Sequence, residues 1–296
     1  MNTVMNTGDL LEPTHPTNQR TVTMPHVSTA LAPPKSLTAS PRAVDSAIPM
    51  RRLIKVELRK TMNTRAGKWL LATIAGGAAI VMAIMVIVGI VTDEPFGITD
   101  FTQVASFFPM ALLLPVLGVM SVTGEWGQRT NIATFTLVPR RSRIAAAKLA
   151  TGAIMALAAA IAALVTGVAA MGVFDLFGGD ATWNLPLQSV VSFALLQLIG
   201  LLTGFAFGML ILNTPAAIVS FFAYSFLLPT VFFAGASLWD WAESVRPWID
   251  FNFVQEPLGQ GLLSDVNWGQ FALTSAIWFV APVAFGVRRL LRAEIK

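Results

Sequence analysis

Side chains that usually carry chemistry are scarce in this chain and poorly placed for it. Cysteine is absent, and the two histidines, His15 and His26, both fall in a polar N-terminal stretch. A zinc–thiolate site, an iron–sulfur cluster and a cysteine nucleophile are excluded. A histidine-ligated haem, a histidine metal site and a Ser-His-Asp triad in the folded body are excluded with them. The acids Asp93, Glu94, Asp100, Asp175, Asp180, Asp240, Glu243, Asp250, Glu256 and Asp265 are scattered over three segments. They are not spaced as metal ligands, so a membrane enzyme built on them is a poor reading. A phosphate-cradling G-x-x-x-x-G-K-[ST] run is missing too. The one Gly-Lys pair, Gly67-Lys68, is followed by Trp69 and lacks the earlier glycine. No residue is assigned as catalytic and no cofactor or metal site is expected. A nucleotide could act only through another polypeptide.

The elements around these residues explain the scarcity. Hydrophobic residues make up 55% of the 296 and charged residues 12%, against roughly 45–50% and 25% in soluble domains. A soluble fold this apolar could not cover its surface. Residues 1–48 are rich in Thr, Pro, Ser and Asn and read as a disordered cytoplasmic tail. No apolar stretch follows Met1, so the tail is not read as a secretory signal. Six apolar runs follow, at about 69–91, 104–123, 149–173, 187–212, 216–235 and 270–287. Each approaches the ~20 residues that cross ~30 Å of hydrocarbon as a helix. The runs are continuous and not alternating, which favours helices over barrel strands.

Charge fixes the expected orientation. Residues 51–68 hold seven Lys or Arg, the loop 124–148 five and the C-terminus four, while the other three loops share only Arg246. Those same loops hold the ten acids named above. By the positive-inside rule both termini are cytoplasmic. The expected fold is therefore an all-α membrane protein with six transmembrane helices. An amphipathic interfacial helix at 49–68 precedes the membrane domain 69–296, which carries a cytoplasmic loop at 124–148 and an outer loop at 236–268. Nucleic-acid binding is disfavoured, because the cations flank spans and no separate domain presents them.

No Asp, Glu, Lys, Arg or His lies inside any of the six runs. That argues against a proton-coupled antiporter and against an intramembrane metallo- or aspartyl protease. Of the polar residues at depth, Gln197 is read as a helix–helix hydrogen bond, with substrate contact as the alternative. Gly200, Gly204 and Gly208 form two overlapping small-xxx-small units that admit a close neighbour. Pro109, Pro115 and Pro229 can kink their helices. No two runs are alike enough to support an inverted-repeat carrier.

The segments between the runs have their own patterns. Met50, Ile54, Leu58 and Met62 recur every four residues, as on one side of a helix lying along a membrane surface, and Trp69 follows as an interfacial anchor. In the 124–148 loop, Thr130 to Leu137 could form two helical turns stopped before Pro139. It is either a solvated linker or a docking helix for a partner. The outer loop carries Trp239, Trp241, Trp248, Phe251, Phe253 and Trp268, which predicts short helices on or dipping into the membrane surface.

The 124–148 passage resembles the type 2 family of ABC exporter permeases. It offers Gly124-Glu125, then Gly127 and Thr130, Leu137, Pro139-Arg140-Arg141, and Lys148 opening the third span. Gly127 and Thr130 are separated by Gln128 and Arg129, where the family has Gly-Thr adjacent. Glu57-Leu58-Arg59-Lys60, with Arg65 and Trp69, also looks like the family's lead into its first span. The resemblance covers about 50–296. It implies that the amphipathic helix is an elbow helix and that the 124–148 loop holds a coupling helix seated on an ATPase subunit. The implied coupling residues are Glu125, Arg129, Thr130, Leu137, Pro139, Arg140, Arg141 and Arg143. Arg140, Arg141 and Arg143 either pair with acids of the ATPase or only fix topology. The implied assembly has two ATPase subunits, which bind ATP and Mg, and a second permease, identical or homologous.

With no charge at depth, a hydrophobic or amphiphilic cargo is expected: a drug-like natural product, a peptide or a lipid. Candidates along its path are Phe107 and Phe108 in the second run and Phe221, Phe222 and Tyr224 in the fifth, with Gln197. Tyr224 ranks first, as the only tyrosine, with a hydroxyl that needs a partner. The alternative is a non-transporting membrane scaffold or immunity protein, which would have no ATPase subunit.

Overall fold

A computed structural model describes residues 48–127 and 141–292, and among them the chain is almost wholly helical. Five helical stretches are long and apolar enough to cross a membrane: Arg65–Thr92, Ser142–Leu176, Leu187–Ile211, Thr214–Leu238 and Trp268–Arg288. The second apolar run is built of shorter pieces, α3 (Ile98–Ala105), a π-turn (Ser106–Met110) and α4 (Ala111–Gly127). The backbone stays right-handed helical at both joints, Ser106 and Ala111.

The amphipathic segment forms α1 (Met50–Asn63), and the first long helix is α2 (Arg65–Thr92). The break comes at Thr64, earlier than the expected Lys68. Thr64 is extended, and its hydroxyl accepts the Gly67 amide at 3.0 Å, so it caps α2. Gly67 is required at this corner: a Cβ there would lie 2.1 Å from the Thr61 carbonyl oxygen. The buried side of α1 also differs from the expected stripe. Glu57 is buried, whereas Met62 is 48% exposed. The packed side runs through Leu53, Ile54, Glu57, Leu58 and Thr61.

After α4 come α5 (Arg141–Leu176) and α6 (Leu187–Ile211). The glycine stripe of α6 packs against α4. A Cβ on Gly204 would sit 2.0 Å from the Pro115 carbonyl oxygen, and one on Gly118 would sit 2.2 Å from that of Leu201. The two backbones touch, which is what small residues allow. The main core joins Phe101, Leu117, Met171, Phe174 and Leu201. Two short parallel strands, β1 (Phe96–Gly97) and β2 (Ala181–Thr182), tie the α2–α3 and α5–α6 loops together.

The fifth stretch is α7 (Thr214–Phe222), a π-turn (Ala223–Leu227) and α8 (Leu228–Leu238). The expected short helices follow it: α9 (Asp240–Ile249), α10 (Phe251–Val254) and α11 (Glu256–Gly259). The last stretch is α12 (Trp268–Ser275), a π-turn (Ala276–Val280) and α13 (Ala281–Arg292). The α9–α10 corner reaches along this last stretch. The Trp278 indole donates to the Ile249 carbonyl at 2.7 Å, ten residues, about 15 Å, from the start of α12.

Candidate functional site

At the end of the bundle where α4 stops and α5 begins, one buried cation joins three elements. Lys148 of α5 donates to Glu57 of α1 at 2.6 Å and to the Ser121 carbonyl of α4 at 3.0 Å. Both side chains of the pair are only 9% exposed. Lys60 donates to the other Glu57 oxygen at 2.9 Å. Arg143 donates to the Ile48 carbonyl at 2.6 Å, and Thr151 reaches the Ile54 carbonyl at 3.5 Å. A charge pair withdrawn from water persists when its geometry is good and its remaining lone pairs and protons are bonded. Here both conditions are met, so α1, α4 and α5 are held as one unit beside the ends of the 124–148 loop.

Of the residues implied in coupling, Arg129, Thr130, Leu137, Pro139 and Arg140 lie outside the described residues, as does the helix expected at Thr130 to Leu137. Glu125 belongs to the last turn of α4 and Arg141 to the first turn of α5. Arg143 is the one whose contact is described, and that contact is within the chain.

The aromatic candidates divide. Phe221 and Tyr224 are buried together with Phe207 and Phe251. The Tyr224 ring lies 5.3 Å from Phe207 and 4.8 Å from Trp278. Phe222 stacks on Phe226 at 6.0 Å. Phe107 is 61% exposed, and Phe108 lies on the same π-turn. Gln197 donates to the Ser106 carbonyl at 2.8 Å, the helix–helix bond expected of it. The buried hydroxyls of Tyr224, Ser106 and Ser192 have no hydrogen-bond partner among the described residues.

The three π-turns each lie part-way along their stretches. Ser106 and Ala276 are each eight residues past the start of their stretches, and Leu227 is eleven before the end of its own, about 12–17 Å from the β1–β2 side. Proline accounts for them. Pro229 and Pro282 each stand two residues beyond a π-turn, and Pro109 lies inside the third. A proline has no N–H for the carbonyl four residues back and its ring clashes with it. The chain responds by widening: the Leu228 and Ala281 amides bond five residues back, to Ala223 and Ala276. Such turns concentrate at functional sites.

Three features escaped the sequence reading. The Glu57–Lys148 pair is one, and Pro282 is another. The third is Asp250, fully buried at the α9–α10 corner. It accepts the Asn252 and Phe253 amides at 3.0 and 3.3 Å and Arg246 at 3.3 Å, while Arg246 lies 4.5 Å over the Phe253 ring. The only signals available were the i,i+4 spacing of Arg246 and Asp250 and the Asp-x-Asn start of a helix. Among the described residues no group of three or more metal-ligating side chains occurs.

No protein-family model matches the chain, and no curated protein matches it either.

Proposed function

We propose that the chain is the membrane-spanning permease subunit of an ATP-driven exporter, with six spans, an elbow helix at α1 and both termini in the cytoplasm. A separate ATPase subunit docks on the 124–148 loop and binds ATP and Mg. Two such subunits and a second permease complete the pump. The observation that carries the reading is the Lys148 clamp. It joins α1 to both helices that bracket the loop, so force applied to the loop moves three elements together. The cation excess on that side and the acids on the other support the orientation.

In this reading nucleotide-driven closure of the ATPases pushes the loop, and α1, α4 and α5 shift as a unit. The π-turns are where the spans bend. A hydrophobic or amphiphilic cargo, a drug-like product, peptide or lipid, moves along the surface that holds Tyr224, Phe221, Phe222, Phe107, Phe108 and Gln197. The test is affinity purification from the native membrane in mild detergent. A P-loop ATPase recovered near one-to-one with the chain supports the permease. A single pure chain, under conditions that preserve a control complex, transfers the assignment to a scaffold or immunity protein.

A further inference from the structure

Between α2 and α5 lies an apolar cavity of about 580 Å³, lined by small, branched and aromatic residues, among them Ala83, Val86, Ile90, Ala169, Val173 and Phe177. Its one hydroxyl, that of Thr166, is bonded to the Ala162 and Ala163 carbonyls at 2.8 and 3.0 Å and presents nothing to the space. Ala83, Ile90, Ala169 and Val173 remain exposed, so the cavity opens sideways. Along α2 it runs from Ala79 to Ile90, about 17 Å at 1.5 Å per residue. That is roughly half of a ~30 Å hydrocarbon core. A spanning helix of a second chain would need a groove of the full height. An acyl chain of one leaflet needs half.

The mouth of the groove has a definite charge. The exposed carboxylates Asp93, Glu94, Asp175 and Asp180 stand at the ends of α2 and α5. The β1–β2 pairing draws their loops together, with the Phe96 amide donating to the Asp180 carbonyl at 3.2 Å. No Lys or Arg occurs in 92–104 or 175–187. Trp183 donates to Asp175 at 3.2 Å, which sets an interfacial aromatic at the same height. An anionic headgroup would meet only like charge here, whereas an ammonium headgroup meets acceptors.

We propose that this groove seats one lipid of the leaflet on the β1–β2 side, its acyl chain between α2 and α5 and a primary-ammonium headgroup against Asp93, Glu94 and Asp175. The assignment rests on the membrane-spanning reading and its orientation, and is independent of any ATPase.

The full-length chain is delipidated in detergent and titrated with phosphatidylethanolamine, phosphatidylcholine or phosphatidylglycerol, with bound lipid counted by native mass spectrometry. One phosphatidylethanolamine per chain is expected, with affinity at least about five-fold above phosphatidylglycerol. Ala83→Phe with Ala169→Phe fills the groove and lowers occupancy by about the same factor. The exposed triple variant Asp93→Asn, Glu94→Gln, Asp175→Asn keeps a bound lipid and loses the headgroup preference. Unchanged occupancy in the filled variant overturns the proposal. So does equal binding of phosphatidylglycerol, or a dimer that the filling dissociates. ATPase co-purification of the same variants reports separately on the permease reading.

Discussion

Lys148 and Glu57 matter at the scale of single residues because each makes the other's burial tolerable. Removing one partner of a buried pair costs up to roughly 3–5 kcal/mol, less for Lys148 because Lys60 still faces Glu57, while replacing both with uncharged groups of similar shape is far milder. Lys148→Met and Glu57→Gln should therefore each lower the midpoint of thermal unfolding in detergent. The double variant should recover most of the loss; an additive loss would show that the two side chains do not interact. Gln197 sits on a smaller scale. Gln197→Leu removes one interhelical bond to Ser106, worth about 0.6–2 kcal/mol in a membrane, and its unfolding shift should be correspondingly modest. The Gln197 bond was legible from the sequence because a lone amide in an apolar run has few alternatives. The Lys148 pair was not, because its members are 91 residues apart. Glu57 had been placed only in the run leading into the first span.

At the scale of elements, the hydrophobic runs already fixed where helices lie, since continuous apolar stretches of this length have few other solutions. What the runs left open is which faces meet. The glycines of α6 announced a close neighbour, and only the structure names it as α4, by the contact of Gly204 with Pro115. Gly204→Val should disrupt that contact and cost at least about 1–3 kcal/mol by overpacking, read as loss of monodisperse protein on size-exclusion chromatography. The α1–α2 corner was misplaced because the basic run continues past Asn63, while Thr64 and Gly67 set the turn. The π-turns are a different case. Prolines at 109 and 229 had signalled kinks, but a kink and a widened turn look alike in sequence. Pro229→Ala and Pro282→Ala restore the missing amides, so each turn should tighten to ordinary helix. In the proposed pump, cargo-stimulated ATP hydrolysis should then fall about ten-fold, on the order of 1.4 kcal/mol, with ATPase binding retained. Unchanged stimulation would remove bending at these turns from the proposed mechanism.

For the whole molecule, the decisive pattern is the separation of charge between the two ends of the bundle. In the proposed topology it puts α1 and the α4–α5 loop on one side of the membrane and β1, β2 and α9–α11 on the other. The chain has no cysteine, so single cysteines can be placed without background. Asp180→Cys should react with an impermeant maleimide in intact cells, and Arg52→Cys only after permeabilisation. The reverse pattern would contradict the proposed topology, and with it a cytoplasmic ATPase docked on the 124–148 loop. The short helices of 236–268 were legible from their aromatic residues, but the corner that joins α9 to α10 was not. There the buried Asp250 pairs with Arg246 and accepts two backbone amides, which no hydropathy pattern reveals.

The central claim is that an ATPase works this chain through the 124–148 loop. Its most direct measurement is ATP hydrolysis by the ATPase that co-purifies with the chain, compared between wild type and the charge-reversed variant Arg140→Glu with Arg141→Glu. The account predicts that the wild-type complex hydrolyses ATP and that reversal releases the ATPase from the permease. An ATPase retained with full activity by the variant would contradict docking through those arginines, and the absence of any ATPase from the wild-type complex would contradict the exporter itself.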